Sequence, residues 1–186
     1  MHMTPETHSP EMASPSSTVK ILGLDPGLRF TGWGLIEAKS NHLTHLDNGT
    51  IKTPTSGSLP ERLASLFKSV QSVLDQTSPD EVAVENTFVN KDGAATLKLG
   101  QARGVIVTAP ALLGLPVAEY APNQIKKTVV GSGHADKDQI LTMVNMLLPQ
   151  CRPDSEHAAD ALAIAITHAQ HRKSNALMAS LAEEGA

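Results

Sequence analysis

Apolar positions along the chain follow two periods, and the switches between them mark the elements. Val19-Lys20-Ile21-Leu22-Gly23-Leu24 is a nearly continuous apolar run, which reads as a buried strand stopped by the turn residues Asp25-Pro26-Gly27. Phe30 to Ile36 and Leu43 to Thr53 read as two further strands, with their glycines marking bends, and the short connections predict an antiparallel meander. From Pro60 to Leu74 the period becomes helical, through Leu63, Leu66, Phe67, Val70 and Leu74. Ser58 precedes it as a cap, with Glu61 placed to complete a capping box. Glu81 to Glu85 is a short buried strand with Val82 and Val84 on one face. Ala95, Leu99, Ala102, Ile106, Ala109 and Leu113 then recur at 4-3-4-3-4 spacing, predicting a long helix kinked or ended near Pro110. Leu115 to Tyr120 reads as a strand, Pro122–Val130 and Asp136–Leu148 as helices, and His157 to Ala169 as a last apolar helix.

Three strands followed by strands alternating with helices predict an α/β domain with a mixed sheet and helices on its faces. It is expected over residues 18–172, with no internal repeat and no linker dividing it. The Pro-, Ser-, Thr- and His-rich residues 1–17 are too polar to build a core and are expected to form a disordered tail. Residues 173–186 are expected to form a loose C-terminal tail.

Composition narrows the function classes. The 186 residues are 40% hydrophobic but only 3% aromatic, so Val, Ile, Leu and Ala must build the core. Cys151 is the only cysteine, which excludes an intrachain disulfide and suits a reducing cytoplasm; it reads as an inert thiol. No apolar run reaches the roughly 18 residues of a membrane span, and residues 1–17 lack a signal-peptide pattern. The expectation is a cytoplasmic protein with no membrane partner. A net charge of −4 argues against a general nucleic-acid coat. Its distribution argues otherwise, because Asn86 to Lys137 holds six basic residues (Lys91, Lys98, Arg103, Lys126, Lys127, Lys137) against Asp92, Glu119 and Asp136.

Asp25 ends the first buried strand and Glu85 ends the fourth, at the carboxyl ends where open α/β sheets place ligands. If the two strands are neighbours, a spacing of roughly 5 Å brings both acids within reach of one cation. His157 and Asp160 share a helix face, flanked by Ala158, Ala159 and Ala161, which permit close approach. Two plainer readings stand beside this: Asp-Pro-Gly is common turn chemistry for Asp25, and an acidic helix start suits the helix dipole, which explains Glu156 well and Asp160 less well. Together, three acids and a histidine from element ends fit a hydrolase with two ions about 3.5–4 Å apart.

The motifs Ile21-Leu22-Gly23-Leu24-Asp25-Pro26-Gly27, Val84-Glu85-Asn86-Thr87-Phe88 and His157-Ala158-Ala159-Asp160-Ala161-Leu162-Ala163 resemble the RuvC family of Holliday junction resolvases. Leu97 to Gly104 and Gln124 to Gly131 resemble it too, and the similarity spans about residues 19–170 in the family's order. The resemblance implies a ribonuclease H-like fold with a five-stranded sheet. It also implies a homodimer that makes paired symmetric cuts across a four-way junction in homologous recombination and DNA repair, leaving ligatable 5′-phosphate and 3′-hydroxyl ends. It assigns catalytic and metal-binding roles to Asp25, Glu85, His157 and Asp160, with two Mg²⁺ ions per site that Mn²⁺ can replace. The implied partners are the junction-binding and branch-migration proteins of the Ruv system.

Family members carry either aspartate or histidine at the position of His157. Imidazole is a poorer ligand for Mg²⁺ than carboxylate, so His157 is either a ligand or a group that orients or deprotonates the attacking water. Activity is then expected to fall below about pH 6 as it protonates. By the resemblance, Phe88 stacks on an unpaired base, worth roughly 1–3 kcal/mol; the alternative is a core aromatic. Lys126 and Lys137 match basic positions at the DNA backbone, whereas Lys91, Lys98, Arg103 and Lys127 read as solvated surface. Gly131-Ser132-Gly133-His134 reads as a mobile loop nearby, and His134 has no assigned role. Three rivals remain: a nuclease of the same fold that trims ribosomal RNA precursors, a sugar-kinase-like ATPase using Gly27, Gly32 and Gly34 at phosphate, and a non-catalytic junction-binding module.

Overall fold

Strand parity decides which side chains meet which helices. The computed structural model describes residues 18–86 and 92–184, with only the helical backbone over 173–184. Its elements are β1 (Val19–Asp25), β2 (Phe30–Lys39), β3 (His42–Lys52), α1 (Leu59–Thr77), β4 (Glu81–Glu85), α2 (Gly93–Leu112), β5 (Val117–Tyr120), α3 (Pro122–Val130), α4 (Lys137–Leu147) and α5 (Glu156–Glu184). The five strands lie in the order β3-β2-β1-β4-β5. The first three form the expected antiparallel meander, and β4 and β5 add in parallel.

Alternation along the strands builds two cores. On one face Leu22 and Leu24 of β1, Leu35 and Ile51, and Val82 and Val84 of β4 pack under α1 and α2. On the other, Val19 and Ile21 of β1, Ile36 and Ala38 of β2, Ala83 of β4 and Tyr120 of β5 pack against α3, α4 and α5. Side chains alternate across a sheet, so Asp25 and Glu85 continue the rows of Ile21 and Ala83 onto the α5 face. Helix starts follow the chemistry read from the sequence. Ser58 and Glu61 form the capping box, the Ser58 N–H donating to Glu61 Oε2 at 2.7 Å, and Pro122 opens α3.

Helix α5 lies on a floor without side chains. A Cβ at Gly23 would stand 2.0 Å from the Ala161 carbonyl oxygen, and one at Gly32 would stand 1.9 Å from that of His157. At Gly34 it would meet Leu162 Cγ at 2.6 Å. Ala158, Ala161 and Ala165 answer from the helix, all fully buried. Gly32 and Gly34 are therefore not bends, and they do not form a phosphate loop; they lie inside β2 and let a helix backbone descend onto the sheet.

One helix ends close to its expected proline, and another runs further than its pattern predicts. Helix α2 includes Pro110 in its last turn, where few ladder bonds remain to be lost, and ends at Leu112. Of its stripe only Ala102, Ile106 and Ala109 are buried, while Ala95 and Leu113 at the two ends are exposed. Helix α5 continues past Arg172 to Glu184, so most of the segment expected to be a loose tail is helical. Among the described residues no helix is long and apolar enough to cross a membrane.

Candidate active site

The pairing of Leu24 with Val84 brings the carboxyl ends of β1 and β4 side by side, with Asp25 and Glu85 on the same face. Helix α5 crosses that face and adds His157 and Asp160 from its first turns. His157 Nδ1 lies 3.1 Å from Asp25 Oδ2; an acceptor-only carboxylate there requires Nδ1–H to donate. Burial pushes the Asp25 carboxyl up, against the pull of His157 and Lys137. Glu85 is pushed up to about 7, first by burial and then by the negative charges of Asp25 and Asp160. Asp160 is pushed up to about 6 by burial and by Asp25, with Lys137 and His157 opposing. Asp25, Glu85, His157 and Asp160, expected together from the sequence, are brought to one end of the sheet.

Three partly buried carboxylates in mutual repulsion are a hard-oxygen donor set short of positive charge, and that chemistry fits a divalent cation. Among the described residues no three His, Cys, Asp or Glu donors are already gathered about a single point. The fit thus rests on charge and placement, with side-chain rotation left to close the shell. Beside the cluster opens a cavity of about 130 Å³, lined by Glu85, Asp160, Lys126 and Lys137 over the apolar floor of Ile125 and Ile140.

Lys126 and Lys137 therefore stand at the acids, from α3 and the start of α4. Lys137 is exposed and its Nζ donates to Glu156 Oε2 at 2.6 Å. Lys98, Lys127 and His134 are exposed, while Arg103 is ion-paired with Glu119 of β5 instead of being solvated surface. Phe88 and Lys91 lie outside the described residues.

Sequence reasoning missed the groups that hold α5 in place. At its start, Asn48 Nδ2 donates to the Arg152 carbonyl at 3.5 Å and its Oδ1 accepts the Asp154 N–H at 3.1 Å. Thr50 Oγ1 contacts Ser155 Oγ at 2.5 Å, and Ser155 Oγ in turn accepts the Ala158 N–H. Further along α5, His168 Nε2 lies 2.7 Å from Glu81 Oε2 and its Nδ1 lies 2.8 Å from the Tyr120 hydroxyl. Arg172 binds both oxygens of Glu81. Phe30 also went unassigned, and its ring stacks on that of His157. The parity that places Glu85 would have placed Glu81 on the α5 face; the other contacts have no local signal.

Comparison with known proteins shows the family and the fold. The family model for crossover junction endodeoxyribonuclease RuvC matches residues 21–168. The crossover junction endodeoxyribonuclease RuvC of Bradyrhizobium diazoefficiens is 60% identical over 159 residues, covering 86% of this chain and 91% of the relative. That of Azorhizobium caulinodans is 57% identical over 159 residues, covering 86% and 94%. The solved structure of T. thermophilus RuvC in complex with Holliday junction substrate matches with a TM-score of 0.77 at 33% identity, over 84% of this chain and 96% of that one. A yeast mitochondrial Holliday junction resolvase, at 9% identity and a TM-score of 0.63 over 89% and 84%, shares the fold.

Proposed function

The chain belongs to the RuvC family of crossover junction endodeoxyribonucleases, and on that premise we propose that Asp25, Glu85, His157 and Asp160 are its hydrolytic centre. It is a structure-specific endonuclease of ribonuclease H-like fold that binds four-way junctions and resolves them by divalent-metal-dependent cleavage. The observation carrying the assignment of residues is that Asp25, Glu85 and Asp160 meet at one end of the sheet, where burial raises the proton affinity of all three and the charge of Asp25 raises that of the other two further.

When bound, two Mg²⁺ ions, replaceable by Mn²⁺, supply positive charge at the scissile phosphate and acidify water. Asp25, Glu85 and Asp160 are the groups that hold them. His157 keeps Nδ1 on Asp25, which leaves its Nε2 lone pair as the site that ligates or takes a proton. Lys126 and Lys137 face phosphate oxygens, Lys137 exchanging Glu156 for phosphate; that exposed pair is screened by water and readily broken. Phe88, from the segment after β4, stacks on an unpaired base at the crossover. Cutting leaves 5′-phosphate and 3′-hydroxyl ends.

Paired cuts call for a homodimer, which places two centres about a two-fold axis. Helix α2 offers the surface. Opposite its buried stripe, Leu97 is 71% exposed, and a Cβ added at Gly93, Gly100 or Gly104 would meet nothing within 4 Å. Small residues that this chain's own packing does not require suit the close approach of a second α2. The protein acts in the cytoplasm, in recombination and repair, with the junction-binding and branch-migration proteins of the Ruv system, through a domain spanning residues 18–172.

Incubation with a synthetic four-way junction and a linear duplex, each with Mg²⁺, Mn²⁺ or chelator, tests this reading. Paired cuts in the junction alone, lost with chelator and lost in Asp25→Asn while binding persists, are expected. Cutting by Asp25→Asn at the native rate would remove the assignment.

A further inference from the structure

We infer that Phe30 is a positioning residue: its ring fixes the plane of the His157 imidazole so that Nδ1 stays on Asp25 and Nε2 remains the reactive nitrogen. The two rings stack with centroids 5.6 Å apart and planes 25° from parallel. His157 needs such a support. Its side chain is 39% exposed, and among the described residues the bond from Nδ1 to Asp25 is the hydrogen bond that orients it. The outer torsion of a histidine side chain is broad, and a half-turn exchanges nitrogen for carbon at both positions. A face-on aromatic neighbour restricts that rotation to one plane, and the Asp25 carboxylate then selects between its two settings.

The sequence places Phe30 there by parity. Phe30, Gly32 and Gly34 of β2 point to the α5 face, the glycines letting the helix backbone down. Phe30 is the first position beyond that bare floor with a side chain. It is half-buried and belongs to neither hydrophobic core, so its packing is directed at His157. The Arg29 guanidinium lies over the same ring, its Cζ 5.1 Å from the centroid, and constrains Phe30 in turn. In a chain with three phenylalanines, one is spent at the rim of the acid cluster.

The inference rests on the reading of His157 as a site residue, and the experiment separates the two. In ¹⁵N-histidine-labelled, metal-free protein, long-range nitrogen–proton spectra read the His157 ring directly. Wild type and Phe30→Tyr are expected to show one form protonated at Nδ1; Phe30→Leu and Phe30→Met are expected to show a mixture at unchanged melting temperature. In the cutting assay, the aliphatic variants are expected to lose about tenfold in kcat with junction affinity retained, and Phe30→Tyr to recover it. Mn²⁺ affinity, read by electron paramagnetic resonance, is expected to fall in the same two variants. A native His157 spectrum in both aliphatic variants, or a tyrosine variant no better than leucine, overturns the positioning role. Absence of junction cutting in wild type would instead sink the functional reading and leave the spectra to decide the ring's support.

Discussion

Strand β4 carries a glutamate at each end, both on the α5 face, and the fold treats them oppositely. Glu81 meets His168 and the fork of Arg172, and these hold its carboxyl down at about 2. Glu85 meets Asp25 and Asp160, and burial with their repulsion holds it up at about 7. One acid has a cation, Arg172, and a histidine partner built into α5; the other faces two acids, with Lys126 opposing them. An acid compensated within the chain is structural, whereas one left in deficit invites a charge from outside.

The largest expected effect tests that division. Glu85→Gln should lower junction cutting by at least about 10³-fold, with binding intact and, in metal-free protein at pH 8, a melting temperature equal to or above wild type. Gly23→Ala, which drives a methyl into the Ala161 carbonyl, should lift α5 and disturb both ends at about 3 kcal/mol in denaturant unfolding. Glu81→Gln should do the reverse of Glu85→Gln, costing about 2 kcal/mol of stability by leaving Arg172 without its anion and weakening the hydrogen bond at His168, while cutting by the folded fraction stays near wild type.

Acidity should separate the two glutamates again. The folded pKa of Glu81 lies below its ordinary 4.5, so its stabilisation is complete above that value and is lost as pH falls towards 2. That of Glu85 lies above 4.5, so the protonated form favours folding at low pH and the benefit is lost as pH rises through about 7. Metal-free wild type should therefore melt lower at pH 8 than at pH 5 by calorimetry. Glu85→Gln should flatten that slope and Glu81→Gln should leave it. The smallest effect belongs to the exposed Lys137–Glu156 pair: Glu156→Gln should leave the melting temperature near that of wild type and tighten junction binding slightly.

Much of this was legible because strand alternation is local. The apolar runs of β1 and β4 fix the faces of Asp25 and Glu85, and the spacing of His157 and Asp160 fixes theirs. What the sequence could not carry was which helix would land on which face. Gly32 and Gly34 look like bends until α5 lies over them, and the contact of His157 with Asp25 joins positions 132 residues apart. The acid limb expected from His157 is another case. Glu85 and Asp160, raised to about 7 and about 6, bring an acid limb of their own, which no single residue type predicts.

Helix α5 is fastened by Asn48, Thr50 and Ser155 at its first turn and by Glu81 near its exit from the sheet. Amide protons between these fastenings can reach solvent only if one of them lets go, and the glycine floor denies the helix any partial lift. Their deuterium uptake should thus match the free energy of whole-domain unfolding, with no faster sub-global route. Metal-binding capacity and the fold itself would then be lost at the same temperature on heating.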